Sequence, residues 1–249
     1  MQPNPTDEIP LAESRACDSC GNATPWERVS VMGVDITKTI PCLCASCLVT
    51  AKHKAKEDER LARIEACRAQ CAAVLHPRLR DTDTKHPLFN HRAWEKIKHF
   101  EVSSGQNLLL VGGSGLCKSR MLALFCKRIA LRGSTIAWTD TDAIDGLAIH
   151  KGHWKTRDAA LQRIDELKWA QCLVIDDLGK ETMNNAAEAV LFHILNHRYE
   201  RKMPTWVSAN THPSELLAEG HFSRDRGAAI VGRILEGAKV YNLKKHEQE

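Results

Sequence analysis

Asn107-Leu108-Leu109-Leu110-Val111-Gly112-Gly113-Ser114-Gly115-Leu116-Cys117-Lys118-Ser119 is the stretch on which the reading of this chain turns. An unbroken apolar run suits a strand buried on both faces, and the glycines after it give way to Lys-Ser at the head of a helical pattern. Strand, glycine-rich loop and helix start together form a phosphate cradle. Gly112, Gly113, Ser114, Gly115, Leu116 and Cys117 can turn backbone N–H groups toward one anion. Lys118 adds a compact cation and Ser119 a hydroxyl able to ligate Mg²⁺. The pattern departs from the usual one at Cys117, where glycine is the rule. A Cβ in so tight a turn predicts a strained backbone or a shifted loop.

Downstream, Cys172-Leu173-Val174-Ile175-Asp176-Asp177-Leu178-Gly179 is a second apolar strand, ending in two carboxylates. This completes a nucleotide site: Asp176 would hold Mg²⁺ directly or through water, and Asp177 would orient or deprotonate the attacking water. A third strand, Thr205 to Ser208, delivers Asn210, an amide able to hold a water beside a γ-phosphate. Arg233 lies on a helix near the C-terminus, where a guanidinium could serve the site of a neighbouring subunit. Between these points helices and strands alternate. Helices are expected over 92–100, 118–131, 142–149, 157–169 and 186–201 and after Pro213 and Asp225, with strands at 108–111, 135–139, 172–175 and 205–208. Such alternation implies a parallel sheet sandwiched by helices, with ligands at the C-terminal ends of the strands.

The N-terminal quarter reads differently. Residues 1–14 are polar and rich in proline and predict a loose tail. Cys17-x-x-Cys20 and Cys44-x-x-Cys47 then bracket a segment, Trp26 to Ile40, that alternates weakly like a hairpin. Paired thiolates on two turns suit tetrahedral Zn²⁺, with Cys17, Cys20, Cys44 and Cys47 as ligands and Cys42 as an alternative to one of them. So short a region has little core, and the metal would hold it together. From Leu48 to about Leu75 a charged helix is expected, with Leu61, Ile64, Cys67 or Arg68, and Cys71 to Leu75 on its packed side, and the polar stretch through Pro87 is expected to be a linker or a lead-in to the next domain. The chain is thus expected to divide into a tail (1–14), a zinc-binding domain (15–50), a helical linker (51–75) and a nucleotide-binding α/β domain (76–249).

The 249 residues are 43% hydrophobic, and 35 basic against 31 acidic side chains give a net charge of +4, too mild by itself to imply a nucleic-acid partner. No secretory signal or membrane-spanning run appears, so a cytoplasmic protein is expected, and in a reducing compartment ten cysteines favour metal ligands or buried thiols over disulfides.

Taken together, Gly112 to Ser119, Ile175-Asp176-Asp177-Leu178-Gly179, Ser208-Ala209-Asn210 and Gly232-Arg233-Ile234 resemble the AAA+ ATPases of the DnaC/IstB type, bacterial and phage helicase loaders and transposition helpers. The resemblance covers roughly residues 76 to 243. It implies a P-loop NTPase with an AAA+ core and no large helical lid, ATP as ligand, Asn210 at the sensor-1 position and Arg233 as the arginine finger. It also implies a homo-oligomer in the ATP state, formed on DNA, with single-stranded DNA the expected form. The partner would be a replicative helicase or, alternatively, a transposase. A cysteine-rich N-terminal segment is similar to loaders that grip the helicase through a zinc-bound domain. Asp177 stands where many AAA+ proteins outside this group have Glu. A nucleotide-binding adaptor that does not hydrolyse is the reading from another class. His150-Lys151-Gly152-His153-Trp154-Lys155-Thr156-Arg157, with cations around one aromatic, is the candidate DNA contact.

Overall fold

The computed structural model describes residues 14–25, 30–31, 34–35, 43–87, 89–102 and 104–244. Backbone packing divides the chain into two units, 1–62 and 63–249. In the first, β1 (Ser14–Ala16) pairs antiparallel with β2 (Ala23–Pro25), and β3 (Ser30–Val31) pairs with β4 (Val34–Asp35). The turn joining β1 to β2 is closed by Cys17 N–H donating to Asn22 O and Gly21 N–H donating to Cys17 O. Gly21 takes φ +76 there, which suits a residue without Cβ. The expected tail, Cys42 and most of the Trp26–Ile40 segment lie outside the described residues.

Helix α1 (Ala45–Val74) begins earlier than its apolar pattern suggested. Its expected packed side is realised only at the C-terminal end. Cys67, Cys71 and Leu75 recur every four residues and are buried, whereas Leu61 is exposed. The stretch after it, expected as a linker or a lead-in to the next domain, is ordered against the rest of the second unit. His76 caps a one-turn helix, α2 (Pro77–Arg80), and Thr82 is buried, its hydroxyl accepting from Arg120 and its carbonyl from Lys127.

The second unit is built on a five-stranded, all-parallel sheet of β5 (Leu108–Val111), β6 (Ile136–Asp140), β7 (Cys172–Leu178), β8 (Thr205–Ala209) and β9 (Lys239–Asn242), in the order β6-β7-β8-β5-β9. Helices α3 (His91–Ile97) and α4 (Lys118–Leu131) cover one face. Helices α5 (Thr141–Gly152), α6 (Arg157–Trp169), α7 (Asn185–Glu200) and α9 (Arg224–Leu235) cover the other, and α8 (Pro213–Ala218) precedes α9. Period-two alternation sorts the strand residues: Leu108, Leu110 and Trp206 join Trp94, Met121 and Phe125, while Leu109, Val111 and Val207 join Ile144, Leu191 and Ile194. Each fully buried leucine or phenylalanine contributes roughly 2 kcal/mol of transfer free energy, so both faces stabilise the sheet strongly. Among the described residues no helix follows α9, and no helix is long and apolar enough to cross a membrane.

Strand β9 escaped the sequence reading because Lys239-Val240-Tyr241-Asn242 is a largely exposed edge with little apolar signal. It matters for the site. Leu243 N–H donates to Val111 O at 2.7 Å, and a Cβ on Gly112 would collide with the Leu243 carbonyl oxygen. Glycine is therefore required at the first loop position by close approach as well as by conformation.

The other end of the strands is held by Arg198 of α7, which is 1% exposed. Its guanidinium donates to the carbonyls of Leu167, Lys168 and Ala170 at the end of α6, to Pro204 O at 2.6 Å and to Thr205 Oγ1 at 3.1 Å. Burial pulls its pKa down to about 10, so it stays charged at neutral pH. A cation among the free carbonyls of a helix C-terminus is also favoured by the helix dipole.

Candidate nucleotide-binding site

Because β8 lies between β7 and β5, the C-terminal ends of these three strands are adjacent, and so are the segments that follow them. They open into a cavity of 560 Å³ lined by Ser114 to Ser119, by Asp176 and Asp177, and by Asn210. Lys118, only 5% exposed, points back into the loop. Its Nζ donates to Gly112 O at 2.6 Å, Gly113 O at 3.2 Å and Asn210 Oδ1 at 2.9 Å. Burial lowers its pKa, and the nearby carboxylates of Asp177 and Asp176 oppose that shift. All three acceptors are neutral, so an anionic phosphate is the stronger partner for this ammonium.

Ser119 Oγ donates to Asp176 Oδ1 at 2.9 Å, and Ser208 Oγ donates to the same oxygen at 2.5 Å. Burial raises the pKa of Asp176, against the lowering effect of the two hydroxyls. A hydroxyl beside a carboxylate next to the loop is a donor set that fits Mg²⁺, which takes one or two protein oxygens and otherwise water and phosphate. Strand β7 does not stop at Ile175 as expected but continues to Leu178, with both carboxylates inside it. Asp177 takes φ +52 there.

Cys117 occupies the left-handed region at φ 62, ψ 26, immediately before α4. An ordinary L-residue there is in a conformation that favours glycine, which is the backbone strain expected of it. Gly115, Gly113 and Ser114 complete the exposed rim.

Sequence reasoning missed several walls of the cavity. His76, Arg78, Leu79 and His86 come from the polar stretch before Pro87, and Trp138 and Asp140 come from the end of β6. The one available signal was the placement of Asp140 at a strand end, where its carboxylate caps α5 through Ala143 N–H. Ser208, buried beside Asp176 and two residues before Asn210, carries no signal in the sequence beyond its place in a strand.

Arg233 is not brought to this cavity. Its guanidinium lies 4.0 Å from the centre of the Tyr199 ring, Nε donates to Asn196 Oδ1 at 3.3 Å, and its carbonyl accepts from Asn107 Nδ2 at the opposite end of β5. Trp154, between α5 and α6, is 79% exposed with Lys155 Nζ 5.3 Å from its ring centre.

In the first unit the sulfurs of Cys17, Cys20, Cys44 and Cys47 all lie within 4.8 Å of one another, Cys20 and Cys44 at 3.6 Å. Tetrahedral zinc with bonds of about 2.3 Å sets its sulfurs about 3.8 Å apart, so the donor set fits. Cys44 N–H donates to Cys17 Sγ at 3.3 Å, the kind of outer contact that orients a thiolate ligand. Cys44 is pulled down to about 6, chiefly by the Ser46 hydroxyl. Cys20 is pushed up to about 12: the Asn22 N–H lowers it, but the sulfurs of Cys47, Cys17 and Cys44 together outweigh that contact.

This layout has known counterparts. The sequence profile of the IstB-like ATP binding proteins matches residues 46–245. The chain belongs to that family. It is 28% identical over 158 residues to the replicative helicase loader DnaI of Bacillus subtilis, covering 59% of this chain and 49% of that one. It is also 28% identical over 102 residues to an insertion sequence ATP-binding protein of Sinorhizobium fredii, covering 41% of this chain and 33% of the other. The chain thus spans about half or less of the length of these curated relatives. A crystal structure of DnaI superimposes with a TM-score of 0.50 at 22% identity, over 71% of this chain and 95% of that one, and supports the AAA+ P-loop fold.

Cys117→Gly is expected to stabilise the protein by about 1 kcal/mol, the typical penalty for a left-handed L-residue, and to bind ATP at least as tightly as the parent. Urea unfolding and nucleotide titration measure both. A glycine variant that is less stable or binds more weakly would mean that the loop depends on the thiol itself.

Proposed function

We propose that this chain is an ATP-hydrolysing helicase loader that oligomerises on DNA through its nucleotide sites. The convergence of Lys118, Ser119, Asp176 and Asn210 on one cavity carries the nucleotide part. Kinship with DnaI supports the loader part. Lys118 would bind the β- and γ-phosphates, and Ser119 and Asp176 would hold Mg²⁺, which neutralises charge on those phosphates. Asp177 would orient a water and accept its proton as the new O–P bond forms and the bond to the β,γ-bridging oxygen breaks, leaving ADP and phosphate. Asn210 would hold that water. Arg233 is proposed to act on the site of a neighbouring subunit, since it does not line its own. ATP would hold the assembly and hydrolysis would release it, in the cytoplasm. Residues 15–50 would form a zinc-bound domain gripping a replicative helicase, ahead of an ATPase domain over 76–249. Kinship with the insertion sequence protein supports a second reading, a transposition helper whose partner is a transposase.

Lys118→Ala should weaken ATP binding, whereas Asp177→Asn should bind ATP and lose turnover, because the first removes ground-state charge and the second only the group acting on water. Phosphate release at full turnover in Asp177→Asn would favour a different catalytic base, and none in the parent would favour the non-hydrolysing adaptor. Mixing inactive Arg233→Ala with inactive Asp177→Asn chains should restore part of the activity; no recovery at any ratio removes Arg233 from the trans role. Co-purification with a ring helicase or with a transposase separates the two partner readings.

Protein purified without added metal should carry one Zn²⁺ per chain, lost together with the fold of the N-terminal domain on chelation or in Cys17→Ser. Metal analysis near zero would sink the zinc site.

The exposed Trp154 with Lys155 beside it suits base stacking next to a backbone phosphate. Trp154→Ala and Lys155→Ala should both weaken single-stranded DNA binding, and the lysine variant should also show a shallower salt dependence. Parental binding in both would exclude this loop.

A further inference from the structure

Consecutive residues of a regular strand face opposite sides of the sheet, yet Asp176 and Asp177 both line the nucleotide cavity and both bear on Lys118. The backbone shows how. Ile175 is opposite Val207 and Leu178 is opposite Ala209, so three steps along β7 match two along β8. The extra residue makes a bulge, and within it Asp177 sits at φ +52. A bulge leaves peptide groups outside the ladder, and a left-handed aspartate is costly, so the arrangement persists only where its surroundings hold it.

Lys180 N–H donates to Asp177 O at 3.2 Å, and two buried hydroxyls complete the hold. Asp177 N–H donates to Ser208 Oγ at 2.9 Å, and Asp177 C=O accepts from Thr141 Oγ1 at 3.2 Å. Ser208 Oγ also donates to Asp176 Oδ1 at 2.5 Å, so one hydroxyl fixes the peptide of one aspartate and the carboxylate of the other. Ser208 is 0% exposed and Thr141 is 3% exposed, which leaves water poorly placed to replace either. The two hydroxyls reach β7 from separate elements, Ser208 from β8 two residues before Asn210 and Thr141 from the first turn of α5.

We propose that Ser208 and Thr141 are positioning residues that clamp Asp177 in its left-handed kink and so keep both carboxylates on the phosphate side of β7. The catalytic part of this proposal rests on the ATPase reading; the clamp itself does not. When Ser119 turns its oxygen to a cation, Ser208 becomes the hydroxyl that still orients Asp176.

The test compares Ser208→Ala and Thr141→Val with the hydroxyl-retaining Ser208→Thr and Thr141→Ser. Both hydroxyl-deleting variants should lose roughly tenfold or more in kcat while metal-free affinity for a fluorescent ATP analogue stays at the parental value. Ser208→Ala should also need about tenfold more Mn²⁺ for half-occupancy of the nucleotide-bound protein, read by electron paramagnetic resonance. The amide of Asp177 should exchange hydrogen faster in both, and the hydroxyl-retaining variants should recover most of each effect. A role in folding alone would lower the melting temperature and leave kcat and the Mn²⁺ midpoint where they were. That result, or parental amide exchange, overturns the clamp. If Ser208→Ala does not fold, Thr141→Val carries the test alone. If the parent itself releases no phosphate, the ATPase reading falls and amide exchange still decides the clamp.

Discussion

A lysine ammonium taken out of water and surrounded by neutral oxygens is the constraint on which the site is built. An unpartnered buried charge costs several kcal/mol, so Lys118 must find acceptors. It finds them in the first two carbonyls of its own loop and in the amide of Asn210. The loop is thereby folded over its cation and tied to the end of β8. Asp176 and Asp177 supply the negative potential that keeps the charge in place against burial. Loop, third strand and acidic strand are thus organised around one nitrogen.

Strand β8 is pinned by a buried cation at each end, Arg198 at Pro204 and Thr205 and Lys118 at Asn210. The two solve the same solvation problem with different consequences. The carbonyls around Arg198 belong to a helix end and to a strand entry, and enclose it away from solvent. The acceptors of Lys118 stand at the mouth of a cavity, where phosphate can displace them. One cation fixes the framework; the other is poised for exchange.

Much of this was legible in the sequence because strong local signals agreed with the tertiary need. The limits of β5, α4 and α6 coincide with those expected, since each is bounded by a glycine turn or a sharp change of polarity. The four cysteines meet because their spacing already implied two facing turns. What escaped depended on partners far away in the chain. The bulge at Asp177 is defined against β8, the edge strand β9 has too little apolar character to announce itself, and the segment from His76 to His86 looks like a linker until α4 packs on it. Arg233 illustrates the limit of motif reading: its position in the pattern was recognisable, but its stacking on Tyr199 follows from packing alone.

The close approach of Leu243 to Gly112 links the site to the order in which the polypeptide is made. Leu108 and Val111 pair with Lys239 and Asn242, residues that leave the ribosome long after the phosphate loop has emerged. Until that distant strand arrives, β5 is itself an open edge of the sheet, and the first glycine of the loop has no carbonyl against it. Contacts of such long sequence separation form late and slowly. The phosphate loop therefore reaches its final shape only after residues 239–243 have been added to the chain.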